Sequence, residues 1–378
     1  MLKLSLNKRP RGVLRTHTNG QANQGAGARR TRVGQNEAMV LPALLMMLAA
    51  TPEPRVRTET RPMMGTHVTV TLVGGTSRKA REGFDGAFAA FTRVNEVMNE
   101  WRPDSALSEV NRRAGDGSFV PVPEDLCAAL RRAVRGAEET GGLFDPTWAA
   151  LRGLWRFGTE LTPVLPDPAE LKNRCALISY RGLEFAPEAD GGGAGCGVRL
   201  AHAGMQLGLG GLAKGWGVDR AVEKLRALGF RDFFVQAGGD FYAAGKKAGR
   251  PWKVGIREPR GEPGSVFAVL EVSDAAFSTS GDYENFFLLE GKRYHHIIDP
   301  RTCYPAMASR SATILAPSAV DAEVLTKSVF ILGGEAGLAL AQKHGASAVV
   351  VTAEGEVLTS PGLRGKLRLT RSPDEPPR

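Results

Sequence analysis

Hydrophobic and polar positions alternate strictly in THVTVTLVGG, residues 66–75, which places Val68, Val70 and Leu72 on one side of an extended chain and threonines on the other. A period of two that ends in Gly-Gly predicts a half-buried strand. The period then changes. TSRKAREGFDGAFAAFTRVNEVMNEW spaces its apolar residues three and four apart behind a Thr/Ser cap, which predicts a long amphipathic helix. PEDLCAALRRAVRGAEETGG opens with Pro and acids and closes with Gly-Gly, so it reads as a second helix, and DPAELKNRC as a short one. A loop around Gly191–Gly195 separates these from a helix over roughly Ala213–Leu228. Strand patterns dominate afterwards: RDFFVQ, WKVGIRE, VFAVLEV, AFSTSG, YENFFLL and SATILA. Two helices, near 321–332 and 335–344, precede a last strand, ASAVVVT.

Strands and helices do not alternate regularly, and several strands follow one another in the central third. That order predicts an α+β fold with largely antiparallel sheets and flanking helices, not a doubly wound parallel sheet. At 378 residues and 42% hydrophobic content the chain can bury a substantial core. The pattern divides it into a basic leader with an apolar run (1–52), a folded domain (55–363) and a charged, Pro-rich flexible tail (364–378).

Charge and cysteines narrow the reading. The formal charge is +9, but residues 1–35 are rich in Arg and Lys and contain no acid, so much of the excess lies outside the domain. There is no zinc-finger spacing and no interleaving of basic and aromatic residues, and nucleic acid is not an expected partner. Met39–Ala50 is a twelve-residue apolar run, too short to span a bilayer and of the length of a signal-peptide core. It points to export to the periplasm or cell envelope, or to membrane association through an uncleaved N-terminal segment. Cys127, Cys175, Cys196 and Cys303 form no C-x-x-C pair. Neither structural zinc nor a disulfide framework is expected from that scatter, and Cys175–Cys196 is one bridge among three full pairings.

Three motifs invite chemistry. LGLGGLAKGWGVD contains Gly208-x-Gly210-x-x-Ala213, a loose match to a dinucleotide fingerprint, but it lies past the middle of an α+β pattern. What survives is a glycine turn at a helix N-terminus with Lys214 in the first turn, a combination suited to an anion. VQAGGDFYAAG is a strand ending in a tight turn with a carboxylate. YHHIIDPRTCYP gathers two of the six histidines of the chain ahead of an Asp-Pro turn. Each alone is equally an ordinary turn.

Taken in order, MMGTHVTVTL, WRPDSALSEVN, GGLFDPTWAALRGLWRFG, LGGLAKGWGVD, VQAGGDFYAAG, STSGDYENFF with YHHIIDPRTCYP, and AEVLTKSVFILG resemble the FAD:protein FMN transferases, the ApbE family, over about residues 60–355. The resemblance implies a flavin-binding cleft between sheet and helices. It implies an extracytoplasmic enzyme that binds FAD with Mg²⁺. Such an enzyme joins the FMN phosphate to a Thr or Ser of a target protein, an envelope electron-transfer subunit, and releases AMP. His296 falls on the histidine of the family's H-I-I-D-P motif and is the expected base or phosphate-orienting group, with Lys214 beside the phosphates. The expected flavin contacts are Met64, Trp101, Leu143, Phe144, Asp145, Gly208, Lys214 and Ile298, Trp101 replacing a Tyr. An FAD-binding protein without transfer, and an FAD pyrophosphatase giving FMN and AMP, remain alternatives of the same fold.

The chain departs from the family's pattern at four places. Gly208 replaces Asp, Gln236 replaces Asn, and Cys303 replaces Gly. At the metal site, alignment on Gly333 gives Glu323 for Asp and Lys327 for Thr, with the Gly211 carbonyl as a third ligand. An ammonium has no lone pair for Mg²⁺. A shifted register would use Asp321 and Thr326 instead.

Overall fold

The computed structural model describes residues 55–158, 162–187 and 195–373. The chain divides into two units, Met1–Thr51 and Pro52–Arg378, and the first lies outside the described residues, together with the expected leader and signal segment. In chain order the second unit holds β1 (Val56–Met63), β2 (Thr66–Val73), α1 (Ser77–Val97), α2 (Ala106–Arg112), β3 (Val120–Pro121), α3 (Glu124–Glu139), α4 (Pro168–Cys175), β4 (Leu183–Phe185) and β5 (Gly197–Leu200). There follow α5 (Ala213–Ala227), β6 (Phe233–Ala237), β7 (Asp240–Ala244), β8 (Trp252–Arg257), β9 (Val266–Val272), β10 (Ala275–Gly281), β11 (Phe286–Leu289) and β12 (Lys292–His295). The last are β13 (Ser309–Ala316), α6 (Ala319–Leu332), α7 (Gly334–Lys343), β14 (Ser347–Thr352), β15 (Val357–Thr359) and β16 (Leu367–Leu369).

Eight strands form the main sheet in the order β1-β2-β6-β7-β10-β13-β14-β15, and every neighbouring pair is antiparallel. The alternation read from the sequence decides its two faces. Val68, Val70 and Leu72 of β2 join Phe233 and Val235 of β6 and Ile314 of β13 against Phe84, Phe88 and Phe91 of α1, Leu225 of α5 and Phe330 of α6. The other face, with Phe241, Phe277 and Val351, meets Trp252, Ile256, Phe267 and Leu270 of the β8–β9 hairpin. A third core, with Leu107, Leu130, Val198 and Leu207, joins α2 and α3 to the small β3–β5–β4 sheet. Burial of this kind contributes about 25 cal/mol per Å² of apolar surface and is the main term holding the layers together.

Helix α6 is apolar on nearly all sides and packs among α3, α5, α7 and the sheet, as a helix without a polar face must. It is the scaffold of the site. One expectation fails at the edge of the domain. Leu367–Leu369, assigned to a flexible tail, pairs with β9 from Ala268 to Leu270, because its apolar residues extend that hairpin. AFSTSG forms β10 as its pattern predicts, with Ser278 paired to Asp240 on one side and to Ile314 on the other. No helix among the described residues is long and apolar enough to cross a membrane.

Candidate active site

The segment AKGWGVD opens α5 and fixes it against α6. A side chain on Gly215 would stand 2.5 Å from the Ala319 carbonyl, so only glycine lets the two helices approach this closely. One turn on, Asp219 accepts the Ala319 and Val320 amides at 2.8 and 3.0 Å, two of the donors that the start of α6 leaves unpaired. Burial pushes the Asp219 carboxyl up to about 6 even so. Ser318 supplies the ordinary cap by accepting the Asp321 amide at 3.1 Å. The interlock delivers Lys214 from α5, and Glu323 and Lys327 from α6, to one point.

At that point two carboxylates lie beneath two ammonium groups. Glu323 is fully buried; its Oε1 pairs with the Lys214 Nζ and lies 3.4 Å from the Lys327 Nζ, and its Oε2 accepts the Gly215 amide at 2.7 Å. Asp240, at the start of β7, faces Lys214 at 3.0 Å and accepts the Ser278 hydroxyl at 2.5 Å, the register partner on β10. The carboxylate side chains are 0% and 4% exposed, whereas those of Lys214 and Lys327 are 25% and 24% exposed. Burial opposes the charge on Lys214, but Asp240 and Glu323 outweigh it and hold the ammonium above the ordinary lysine range. Burial likewise opposes ionisation of Asp240, and Lys214 and Lys327 outweigh it, leaving the carboxyl below its usual value. Lys327 goes the other way: burial, with the repulsion of Lys214, prevails over Glu323 and lowers it.

The glycine turn before α5 differs from its expected role. A side chain at Gly208 would meet Ala149 and Trp148 at 2.9 Å, while its amide and carbonyl bond the Pro146 carbonyl and the Trp148 indole N–H at 2.8 and 2.9 Å. The polar backbone of Gly208 is therefore taken up internally. The buried carboxyl of Glu100 lies against the turn; burial raises its pKa while the amides of Leu209 and Gly210 pull the other way. Those amides face Glu100, and the positive side chains nearby are Lys214, Lys327 and Arg152.

Trp101, next in sequence, is 70% exposed with the Arg152 guanidinium 4.4 Å over its ring, a surface suited to stacking. Leu143 and Phe144 are buried, and Phe144 lies under Gly211. Asp145 is buried too, and its oxygens accept Thr147 (N–H and O–H, 2.8 and 2.6 Å) and the Tyr180 amide (2.8 Å). It braces this loop and presents no free carboxylate to a flavin. Met64 sits in the two-residue β1–β2 turn at φ 52°, before Gly65 at φ 70°. Hairpins of this kind favour Asn or Gly there, so a methionine in the left-handed region is a strained choice at this turn.

The histidine pair separates as an extended chain requires. His295 is buried, its Nε2 2.7 Å from the Ala306 carbonyl and its Nδ1 accepting the Ile297 amide at 3.3 Å, so it is a neutral structural residue. His296 lies just beyond β12 on the solvent side. The protein around its ring, then His295, and then the charges of Lys327 and Lys214 depress its pKa to about 4, against the Asn285 carbonyl. Both lysines therefore add to the preference of His296 for its neutral form. Ile298 and Asp299 continue the loop; Ile298 bridges to Pro305, and Asp299 accepts the Arg301 amide at 2.9 Å. Trp155, Phe157, Phe287 and Tyr294 stack on one another, and Tyr304 meets Trp155 edge-on. All four cysteines are bridged, as Cys127–Cys196 and Cys175–Cys303, against the expectation of no framework and against Cys175–Cys196. The pairing is set by packing: Cys175 and Cys303 meet in the small core of Leu151, Trp155 and Phe287, which joins α4 to the histidine loop.

A divalent metal does not fit these residues. In the shifted register the side chains are otherwise engaged: Asp321 pairs with Arg132 at 2.6 Å and the buried Thr326 donates to the Ala312 carbonyl at 3.1 Å. In the other register Glu323 has both oxygens engaged, and Lys327, lying along Gly211, fills the place of a hydroxyl ligand. A divalent ion about 4 Å from one ammonium would be repelled by roughly 8 kcal/mol at an effective dielectric of about 20.

The family model "ApbE family" matches residues 64–351. This chain belongs to the ApbE family. The FAD:protein FMN transferase of Treponema pallidum is 36% identical over 293 residues, 75% of this chain and 80% of that protein. That of Haemophilus influenzae is 31% identical over 306 residues, 79% and 86%. Among solved structures, the ApbE protein of Thermotoga maritima superposes with a TM-score of 0.74 at 28% identity, over 83% of this chain and all of the other. The flavin transferase ApbE of Vibrio cholerae gives 0.71 at 27%, over 82% and 99%. The expected α+β architecture with largely antiparallel sheets is that of these ApbE structures.

Within this ApbE chain, Lys214, Glu323, Lys327 and Gly211 come together, with His296 in their field. Trp101 flanks the glycine turn. Asp240, Glu100 and Asp219 were not among the expected site residues. The Gly-Gly-Asp turn signalled Asp240, but only the pairing of Asp240 with Ser278 turns it toward Lys214.

Proposed function

We propose that the protein transfers the FMN moiety of FAD to a Ser or Thr hydroxyl of an acceptor protein. The observation that carries the reading is the neutral His296 imidazole within the field of two solvent-facing ammonium groups, in a chain of the ApbE family. The acceptor hydroxyl oxygen bonds to the FMN phosphorus and the P–O bond to the AMP phosphate breaks. The bridging oxygen leaves with AMP, and the hydroxyl proton goes to His296. Proton removal by a positioned base contributes about 10²–10⁴-fold. Lys214 and Lys327 offset the charge that grows on the departing phosphate, the main electrostatic demand of phosphoryl transfer. Trp101 and Met64 offer the flavin ring a flat face and a polarisable sulfur. The cluster itself supplies no free ligand set for Mg²⁺, since both Glu323 oxygens are engaged and Lys327 is an ammonium.

The acceptor is an electron-transfer protein of the cell envelope, and the enzyme acts there after export. The apolar run Met39–Ala50 supports that location, as does the pairing of all four cysteines, since disulfides persist in oxidising compartments. Incubation with FAD and a Ser/Thr-bearing acceptor tests the activity. Flavin fluorescence retained by the denatured acceptor, and lost when the acceptor hydroxyl is removed, supports it. FMN and AMP without adduct would make the protein a pyrophosphatase.

A further inference from the structure

We infer that the pyrophosphate of FAD is held here by a lysine pair, Lys214 and Lys327, and not through a divalent ion. The inference rests on the reading of the site as an FAD site and specifies how that site neutralises phosphate.

Three observations carry it. The cluster is layered: Glu323 and Asp240 lie buried, and the two ammonium groups cover them on the solvent side. A phosphate arriving from solvent therefore meets positive charge, while a cation must pass two ammonium groups to reach an oxygen. Second, the carboxylates are already satisfied. Glu323 binds both lysines and the Gly215 amide, and Asp240 binds Lys214 and the Ser278 hydroxyl. Third, Lys327 is aimed: it comes from the third turn of α6, and its Cε lies 3.4 Å from where a Cβ on Gly211 would stand. The ammonium thus sits beside the glycine turn, whose Leu209 and Gly210 amides face Glu100.

Lys327 brings one positive charge where a divalent ion would bring two, and the two carboxylates hold the ammonium groups in place before the ligand binds. Pre-positioned cations lose little freedom on binding, which favours affinity. A tethered pair lacks the ordered coordination shell of an ion, but it is present at every metal concentration.

Calorimetric titration of the full chain with FAD, in EDTA and then in excess Mg²⁺, tests this without any variant. The expected result is tight binding in both buffers, with dissociation constants within about twofold. Lys327→Met should weaken binding in EDTA by about 10–100-fold, the scale of a lost charge-assisted hydrogen bond, and Lys327→Arg should restore most of it. Lys327→Thr should make FAD binding respond to Mg²⁺. Tight binding only in Mg²⁺, or unchanged affinity in Lys327→Met, would overturn the lysine-pair assignment while leaving the FAD site standing. Absence of FAD binding in both buffers would overturn the FAD reading itself, and the inference with it.

Discussion

Glu323 on α6 is fully buried beneath Lys214 of α5, and the amide of Gly215, the next residue, closes on its other oxygen at 2.7 Å. One carboxylate thereby joins two helices and holds the Lys214 ammonium. Helix packing and site geometry are here the same contact.

Glu323→Gln keeps the shape and removes the charge. Unfolding in urea should lose about 2–3 kcal/mol, below the usual loss for breaking a buried pair because solvent and Asp240 still reach Lys214. FAD brings negative charge to the unbalanced lysines, so saturating FAD should stabilise the variant more than the wild type. Equal stabilisation of both proteins would separate the pair from the FAD site.

Gly215→Ala tests the close approach of α5 and α6. The added methyl would stand 2.5 Å from the Ala319 carbonyl, and backbone must move to admit it. A stability loss of about 1–3 kcal/mol is expected from such overpacking. FAD affinity should fall with it, because the movement draws Lys214 away from Glu323. Unchanged affinity in a destabilised protein would show that the cluster does not depend on the helix spacing.

His296 makes a prediction about pH. Its pKa of about 4 lies below the ordinary 6.5, so the folded site disfavours the protonated ring. Any stability tied to that neutral ring is complete above pH 6.5 and is lost as pH falls through 4. The rate at low FAD should therefore hold from neutrality to about pH 5 and fall below it, since kcat/KM reports the free enzyme. Bound phosphates favour imidazolium, so the fall in kcat should come at higher pH. His296→Ala should lower kcat by about 10²-fold or more with little change in FAD affinity. A kcat/KM profile that falls at pH 6.5 and is unaltered by His296→Ala would remove the residue from the chemistry.

Cys303 occupies φ 60°, where its relatives' pattern has glycine, and the bridge to Cys175 spans 128 residues of sequence. A left-handed conformation costs a side chain about 1–2 kcal/mol, and a long-loop disulfide contributes about 2–4 kcal/mol. Cys175→Ser with Cys303→Gly should thus be less stable than the wild type. It should be more stable, by about 1 kcal/mol, than Cys175→Ser with Cys303→Ser. Urea unfolding of the two double variants measures the difference, and equality would leave the conformation at residue 303 without a cost.

These results mark what the chain discloses in one dimension. The alternation in β2 and the three-four spacing in α1 are local, and the structure follows them closely. Strand β1 was illegible because VRTETRPM lies at the edge of the sheet, exposed along most of its length, and so carries no apolar period. Lys214 and His296 could be picked out because their motifs are contiguous. Asp240 depended on a strand register, the cysteine pairs on contacts 69 and 128 residues apart, and the internal use of Gly208 on Trp148 folding back over it. Each is a fact of packing, which no short segment contains.

Flavin transfer is tested most directly by the stoichiometry of its two products. The protein, FAD and an acceptor are combined in EDTA, and AMP release is measured against the intact mass of the acceptor. One AMP should appear for each FMN attached, and replacing the acceptor Ser or Thr should abolish both. AMP released with equal free FMN and an acceptor of unchanged mass would contradict transfer, and an adduct that forms only when Mg²⁺ is restored would contradict the lysine-pair site.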